Sequence, residues 1–215
     1  MKTMIAIPCM DMVHSQFMRS LLHLDTSGQE ISYEVTSGSL VYAARNRLLQ
    51  IADDSGVDRI LWFDSDMKIP TDALQILSKD IDEGCEIVSG IYHGRRPPFE
   101  PIVFSECCVR QDIEGQQWPT AAKYLEYPKD SLFEVQAFGF GCVLMTMKAV
   151  KTIMEQMGSM PFMPLSGFGE DLSFCIRAQA VGLKLWCDSR VKCGHIGYKT
   201  YTDEDYRGEG ECSTK

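Results

Sequence analysis

Two carboxylates one residue apart, Asp64 and Asp66, follow directly on the apolar run Arg59-Ile-Leu-Trp-Phe63. Such a run reads as a buried strand, so both acids leave its tip together. Crowded carboxylates repel unless something positive sits between them, and an all-oxygen pair suits a hard divalent cation, Mg²⁺ or Mn²⁺. In open α/β sheets ligands bind outside the carboxyl ends of the strands, where this pair falls. D-x-D alone is weak evidence in a chain with 30 acidic residues. Other residues must carry the reading with it. Gly169-Glu170-Asp171 suits the first turn of a helix, where acids are favoured, and equally an acid-base site. His195 suits a metal or phosphate ligand, and equally a loop histidine bonded to the backbone. Arg45 and Asn46 suit a nucleotide site or a solvated helix face, and Arg95-Arg96 a phosphate or a solvated turn. Trp118, in a polar stretch, is a candidate for stacking on a sugar ring, whereas Trp62 and Trp186 read as core. Gly139-Phe-Gly141 precedes a strand and not a helix, so it reads as room for a sugar near the backbone and not as a phosphate cradle.

The elements that must position these residues alternate along the first half of the chain. Met4 to Pro8, Ile31 to Val35, Ile60 to Phe63 and Glu86 to Tyr92 read as strands. Between them, Ser15 to Leu24, Val41 to Ala52 and Pro70 to Ile81 read as helices, the last with Thr71 as N-cap. Thr36-Ser-Gly-Ser39 reads as a loop. The order β-α-β-α-β-α-β is that of a parallel sheet covered by helices. The rhythm then breaks: Arg95 to Pro128 reads as an irregular loop or β-hairpin over the sheet. Glu134 to Met147 reads as a strand with a Gly-Phe-Gly turn inside it. Helices from Lys148 to Met157 and from Gly169 to Ala180 follow, then a last strand over Gly182 to Cys187. The expected division is one domain over residues 1–200 and a polar, mobile tail over 201–215.

At 215 residues, 45% hydrophobic and 24% charged, the chain has the composition of one globular domain. A net charge of −9 argues against nucleic acid as partner. No export signal is read at Met1 to Pro8, and no stretch approaches a transmembrane length, so a cytoplasmic location is expected. The nine cysteines are odd in number and scattered through apolar stretches, which reads as reduced core thiols without a zinc pattern.

With these blocks in order, the chain resembles the GT-A glycosyltransferases, particularly the family 2-like group. The matching residues are Ile-Ala-Ile-Pro8, Ala44-Arg-Asn46, Trp62-Phe-Asp-Ser-Asp66, Gly139-Phe-Gly141, Gly169-Glu-Asp171 with Phe174, and Cys193-Gly-His195, spanning residues 4 to 200. The resemblance implies a three-layer α/β/α sandwich on a mostly parallel sheet with a small antiparallel addition. It implies a hexosyltransferase-like enzyme that moves a sugar from a nucleotide-diphosphate sugar to a carbohydrate or other hydroxyl acceptor, inverting the anomeric carbon. It also implies roles. Pro8, Arg45, Asn46, Asp64 and Asp66 would hold the donor, with Asp64 on the ribose side. Asp66 and His195, with Asp64 nearby, would hold Mn²⁺ or Mg²⁺. Asp171 would be the general base, with Glu170 supporting it. The loop after the second strand lacks the acids usual in that group, which leaves base recognition open. Two alternatives are a phosphatase or phosphotransferase of haloacid-dehalogenase type, with Asp64 as nucleophile, and a non-catalytic nucleotide-sugar-binding module. Against the former, Met67-Lys68 and not Gly-Thr follows the acids, and two strand–helix units precede them.

Overall fold

The computed structural model describes residues 1–38, 40–111, 113–165, 167–197 and 200–206. The first half runs β1 (Lys2–Cys9), α1 (Ser15–Leu22), β2 (Glu30–Ser37), α2 (Val41–Asp54), β3 (Arg59–Phe63), β4 (Met67–Lys68), α3 (Ala73–Asp82) and β5 (Ile87–Ile91). Next come β6 (Val103–Gln111), β7 (Gln117–Lys123), β8 (Leu132–Val135), β9 (Ala137–Phe138), β10 (Cys142–Thr146) and α4 (Met147–Met157). The chain closes with α5 (Glu170–Ala180), β11 (Leu185–Lys192), β12 (Gly194–Ile196), β13 (Thr200–Tyr201) and α6 (Asp203–Tyr206).

Seven strands form the central sheet in the order β2-β1-β3-β10-β5-β11-β8. β1, β2, β3, β5 and β11 run parallel, while β10 and β8 run against them. Alternation along each strand divides the apolar side chains between two cores. Met4, Ala6, Ile60 and Trp62 face α2, α4 and α5, whereas Ile5, Ile7, Leu61 and Phe63 face α1 and α3. Helices therefore cover both faces, as the alternating first half predicts. Two small antiparallel sheets, β13-β12-β4 and β7-β6-β9, complete the structure. Among the described residues, no helix is long and apolar enough to cross a membrane.

Several elements differ from the sequence expectation. Thr36 and Ser37 continue β2 beside Pro8 and Cys9 and are not loop; Ser39 lies outside the described residues. α3 begins after Asp72 and not at Thr71, with no side-chain cap at its N-terminus. Thr71 instead offers its carbonyl to the Asp25 amide at 2.7 Å. The stretch read as one strand over Glu134 to Met147 is three, two in the central sheet and β9 in the hairpin sheet. Gly139 and Gly141 do not make room for a sugar. A Cβ at Gly139 would fall 2.0 Å from the Tyr92 hydroxyl, and one at Gly141 would fall 2.9 Å from the Tyr92 ring and 3.0 Å from Met67. The tail expected from residue 201 starts with β13 and α6, and its remainder lies outside the described residues, as does Ser166. Cys85, Cys107, Cys142, Cys175, Cys187 and Cys193 are buried free thiols.

A charge cluster with two buried acids lies away from the cleft. Asp80 of α3 and Asp188 of β11 are 1% and 0% exposed. Arg190 reaches both, with Nη2 3.0 Å from Asp80 Oδ1 and Nε 2.9 Å from each Asp188 oxygen. Burial and the neighbouring Asp188 push the Asp80 carboxyl up to about 7. Burial opposes ionisation of Asp188 too, but its bonds to Arg190 outweigh that and hold it below the usual range. A raised carboxyl contributes stability below its unfolded value near 4, and that contribution is lost as pH climbs through 7. Asp188 acts in the opposite sense only below pH 4 or so. Asp80→Asn is therefore expected to raise the melting temperature at pH 8 and to flatten its rise between pH 8 and pH 6. Calorimetry at three pH values checks this, and a variant less stable at pH 8 would refute it.

Candidate active site

β3 delivers its acids to the carboxyl end of the sheet, where the backbone around them is held from four sides. Asp64 N–H donates to the Gly141 carbonyl at 3.2 Å and Met67 N–H to the Asp64 carbonyl at 3.1 Å. His14 and Ile196 N–H donate to the carbonyls of Ser65 and Asp66, at 3.2 and 2.7 Å. The turn is thereby fixed, and the two carboxylates diverge to different partners.

Asp64 meets Arg45. The guanidinium Nη2 lies 2.7 Å from Asp64 Oδ1, and Nε lies 3.4 Å from Glu170 Oε1. α2 presents Arg45 inward, 2% exposed, above Phe140, Trp62 and Phe162 at 5.1 to 5.8 Å from the ring centres. Phe174 stacks on Phe162 at 4.7 Å and completes this aromatic floor. A buried guanidinium stays charged, and nearby carboxylates offset the cost of its desolvation. Burial opposes the charge, and Asp64 and Glu170 overcome that. Burial, with repulsion from Asp66, raises the Asp64 carboxyl despite Arg45.

Asp66 meets His195 and Arg95. β12 pairs antiparallel with β4, setting His195 opposite Met67. His195 is thus on a strand and not in a loop, with Nε2 3.5 Å from Asp66 Oδ2. Its Nδ1 lies 2.8 Å from the His93 carbonyl oxygen and must donate there, so in the neutral ring Nε2 carries the lone pair. Arg95 Nη1 lies 2.9 Å from the same Asp66 Oδ2 and 3.1 Å from the Ile196 carbonyl oxygen. Burial opposes ionisation of Asp66, but His195, when its ring is protonated and Nε2 donates, and the charge of Arg95 prevail and hold its carboxyl below the usual range.

Glu170 and Asp171 open α5 behind Gly169, which has no side chain to cap with. Only one of them serves the helix end. Glu170 turns to Arg45 and caps nothing. Asp171 Oδ1 accepts the Leu172 amide at 2.8 Å, serving the helix end. Burial and then the Glu170 charge push its carboxyl up to about 6, which suits proton transfer near neutral pH. Asn46 does not line the cleft: its Oδ1 accepts the Phe162 amide at 3.1 Å and tethers the loop that carries that ring.

A cleft of about 420 Å³ is lined by Pro8, Met10, Gly38, Val41, Arg45, Asp64, Asp66 and Glu170; Asp171, His195 and Arg95 are not among its lining residues, the last two meeting it through Asp66. Trp118 stands outside it on the β6–β7 hairpin, 41% exposed. Arg95 as partner of Asp66, the His93 carbonyl and the aromatic floor were not legible in the sequence beyond the presence of the residues. Their roles arise from tertiary pairings, Arg95 with Asp66 across 29 positions and His195 with the His93 carbonyl across 102.

The chain thus has a mixed α/β sandwich on a mostly parallel central sheet with small antiparallel additions, the GT-A fold class. Among solved structures, A197 from STIV superposes with a TM-score of 0.64 at 18% identity, over 92% of this chain and 86% of that one. TarS 1-349 from S. aureus superposes with a TM-score of 0.48 at 14% identity, over 88% of this chain and 60% of that one. No protein-family model and no curated protein sequence matches the chain.

Proposed function

We propose that this chain is a glycosyltransferase, moving a sugar from a nucleotide-diphosphate sugar to an acceptor hydroxyl with the help of a divalent cation. The observation that carries the reading is the convergence of two linked groups at one cleft, Asp66 with His195 and Asp64-Arg45-Glu170. Among the described residues no three His, Cys, Asp or Glu side chains could hold a metal by themselves. The Asp66 carboxylate and the His195 Nε2 lone pair fit a cation bound by few protein groups and completed by substrate phosphates. Those two residues would hold Mn²⁺ or Mg²⁺, which when bound neutralises the diphosphate as it leaves.

The chain's own groups do the rest. Pro8, Met10 and Val41 give the nucleoside an apolar wall. Arg45 anchors Asp64 toward the ribose side. Asp171 takes the proton of the acceptor hydroxyl as its oxygen attacks the anomeric carbon. The bond from that carbon to the diphosphate oxygen breaks on the opposite face, and the product is inverted. Asp64 is engaged by a buried guanidinium, an arrangement that does not free it as an aspartyl nucleophile. Thermal-shift titration with UDP-, GDP-, CMP- and dTDP-sugars, with and without Mn²⁺, tests the reading. At least one donor is expected to stabilise the protein only with the metal, and Asp66→Ala is expected to abolish that shift. No metal-dependent stabilisation by any donor would count against the assignment.

A further inference from the structure

The neighbourhood of Asp66 is already filled by a cation of the chain's own. Arg95 lies in the loop between β5 and β6, which closes on itself through Gly94 N–H to the Glu100 carbonyl at 2.9 Å and Phe99 N–H to the Arg96 carbonyl at 2.8 Å. Its stem crosses Gly197, where a Cβ would fall 3.0 Å from Arg95 Cδ. Its guanidinium ends on Asp66 Oδ2, the oxygen that His195 Nε2 also faces. A divalent cation held between that oxygen and that nitrogen would sit against the guanidinium, and like charges a few ångströms apart repel. A cation on Oδ2 between it and His195 therefore competes with Arg95 for that oxygen.

Resting on the function proposed above, we infer that Arg95 is an exchangeable counter-ion. It neutralises Asp66 while the metal is away, is displaced when the metal binds, and then clamps the donor diphosphate. Release is easy, because Arg95 is 46% exposed and held by one carboxylate and one carbonyl. Its tether keeps the freed head beside the cleft, where a guanidinium grips phosphate oxygens with two parallel donors. The exchange makes metal and donor binding cooperative. Without the diphosphate, the displaced arginine has lost its carboxylate and gained nothing.

Titration calorimetry on the full chain, with MnCl₂ and inorganic pyrophosphate as probes, tests this through Arg95→Gln and Arg95→Lys. Arg95→Gln is expected to bind Mn²⁺ alone about threefold to tenfold more tightly, by removing an exposed competitor. With Mn²⁺ saturating, the same variant is expected to bind pyrophosphate about tenfold more weakly, by losing a charge-assisted contact. Arg95→Lys should fall between, keeping the charge but not the fork. Mn²⁺ affinity unchanged or weakened in Arg95→Gln would overturn the competition. Pyrophosphate affinity unchanged would overturn the clamp. Pyrophosphate binding that ignores Mn²⁺ and disappears in Arg95→Gln would show that Arg95 holds phosphate without being released by the metal, and would overturn the exchange. If the unaltered chain binds neither probe, the proposed function fails as well. If it binds both and the variants do not differ from it, this inference alone fails.

Discussion

Asp171→Asn is expected to abolish sugar transfer while leaving donor binding in place. Asparagine keeps the shape and the oxygen that accepts the Leu172 amide, so the start of α5 should hold. It cannot take a proton, and loss of a positioned base costs about 10²- to 10⁴-fold in kcat. On the proposed function, the unaltered chain should lose activity as pH falls through about 6, the value to which burial and Glu170 push the Asp171 carboxyl. The variant's residual rate should lack that limb. The linkage runs the other way for stability. A raised carboxyl contributes stability below about pH 4 and loses it as pH rises through 6. The variant should thus melt higher at pH 8, with the gap closing on acidification, as expected where function opposes stability. Full activity in Asp171→Asn would remove the base assignment. Unchanged biological function with no turnover in either protein would favour a binding module.

Arg45→Met is expected to be the most destabilising single change at the site. It removes the cation between Asp64 and Glu170 and leaves both partly buried acids without a partner. Breaking a buried pair on one side costs about 3–5 kcal/mol. In a protein of this size that lowers the melting temperature by about 6 to 20 °C. The deficit should shrink from pH 8 to pH 5, because the stranded carboxylates can then take up protons. Arg45→Lys should rescue only part of it, since an ammonium cannot span two carboxylates as a planar fork does. Combining Arg45→Met with Asp64→Asn and Glu170→Gln should recover most of the loss, which separates stranded charge from lost packing over the aromatic floor. A near-neutral, pH-independent Arg45→Met would show that the pairing contributes little.

What the sequence determined by itself is local and periodic. Strand and helix identities over the first half follow from apolar spacing, because alternation and 3.6-residue repeats are imposed by the backbone on contiguous residues. Asp64 and Asp66 could be placed at a strand tip for the same reason, and Glu170 and Asp171 at a helix start. The breakup of the stretch over Glu134 to Met147 was not legible. Gly139 and Gly141 are small because Tyr92 and Met67 occupy their space, a fact held in side chains far along the chain. The site's wiring was equally hidden. Arg45 reaches Glu170 across 125 positions and His195 reaches the His93 carbonyl across 102. D-x-D announced two acids with shared chemistry. The resemblance already assigned Asp64 to the ribose side and Asp66 to the metal, but only the tertiary structure gave Asp64 a buried arginine and Asp66 a histidine and a half-exposed arginine, because residue spacing says nothing about which distant cation the fold brings to each carboxylate.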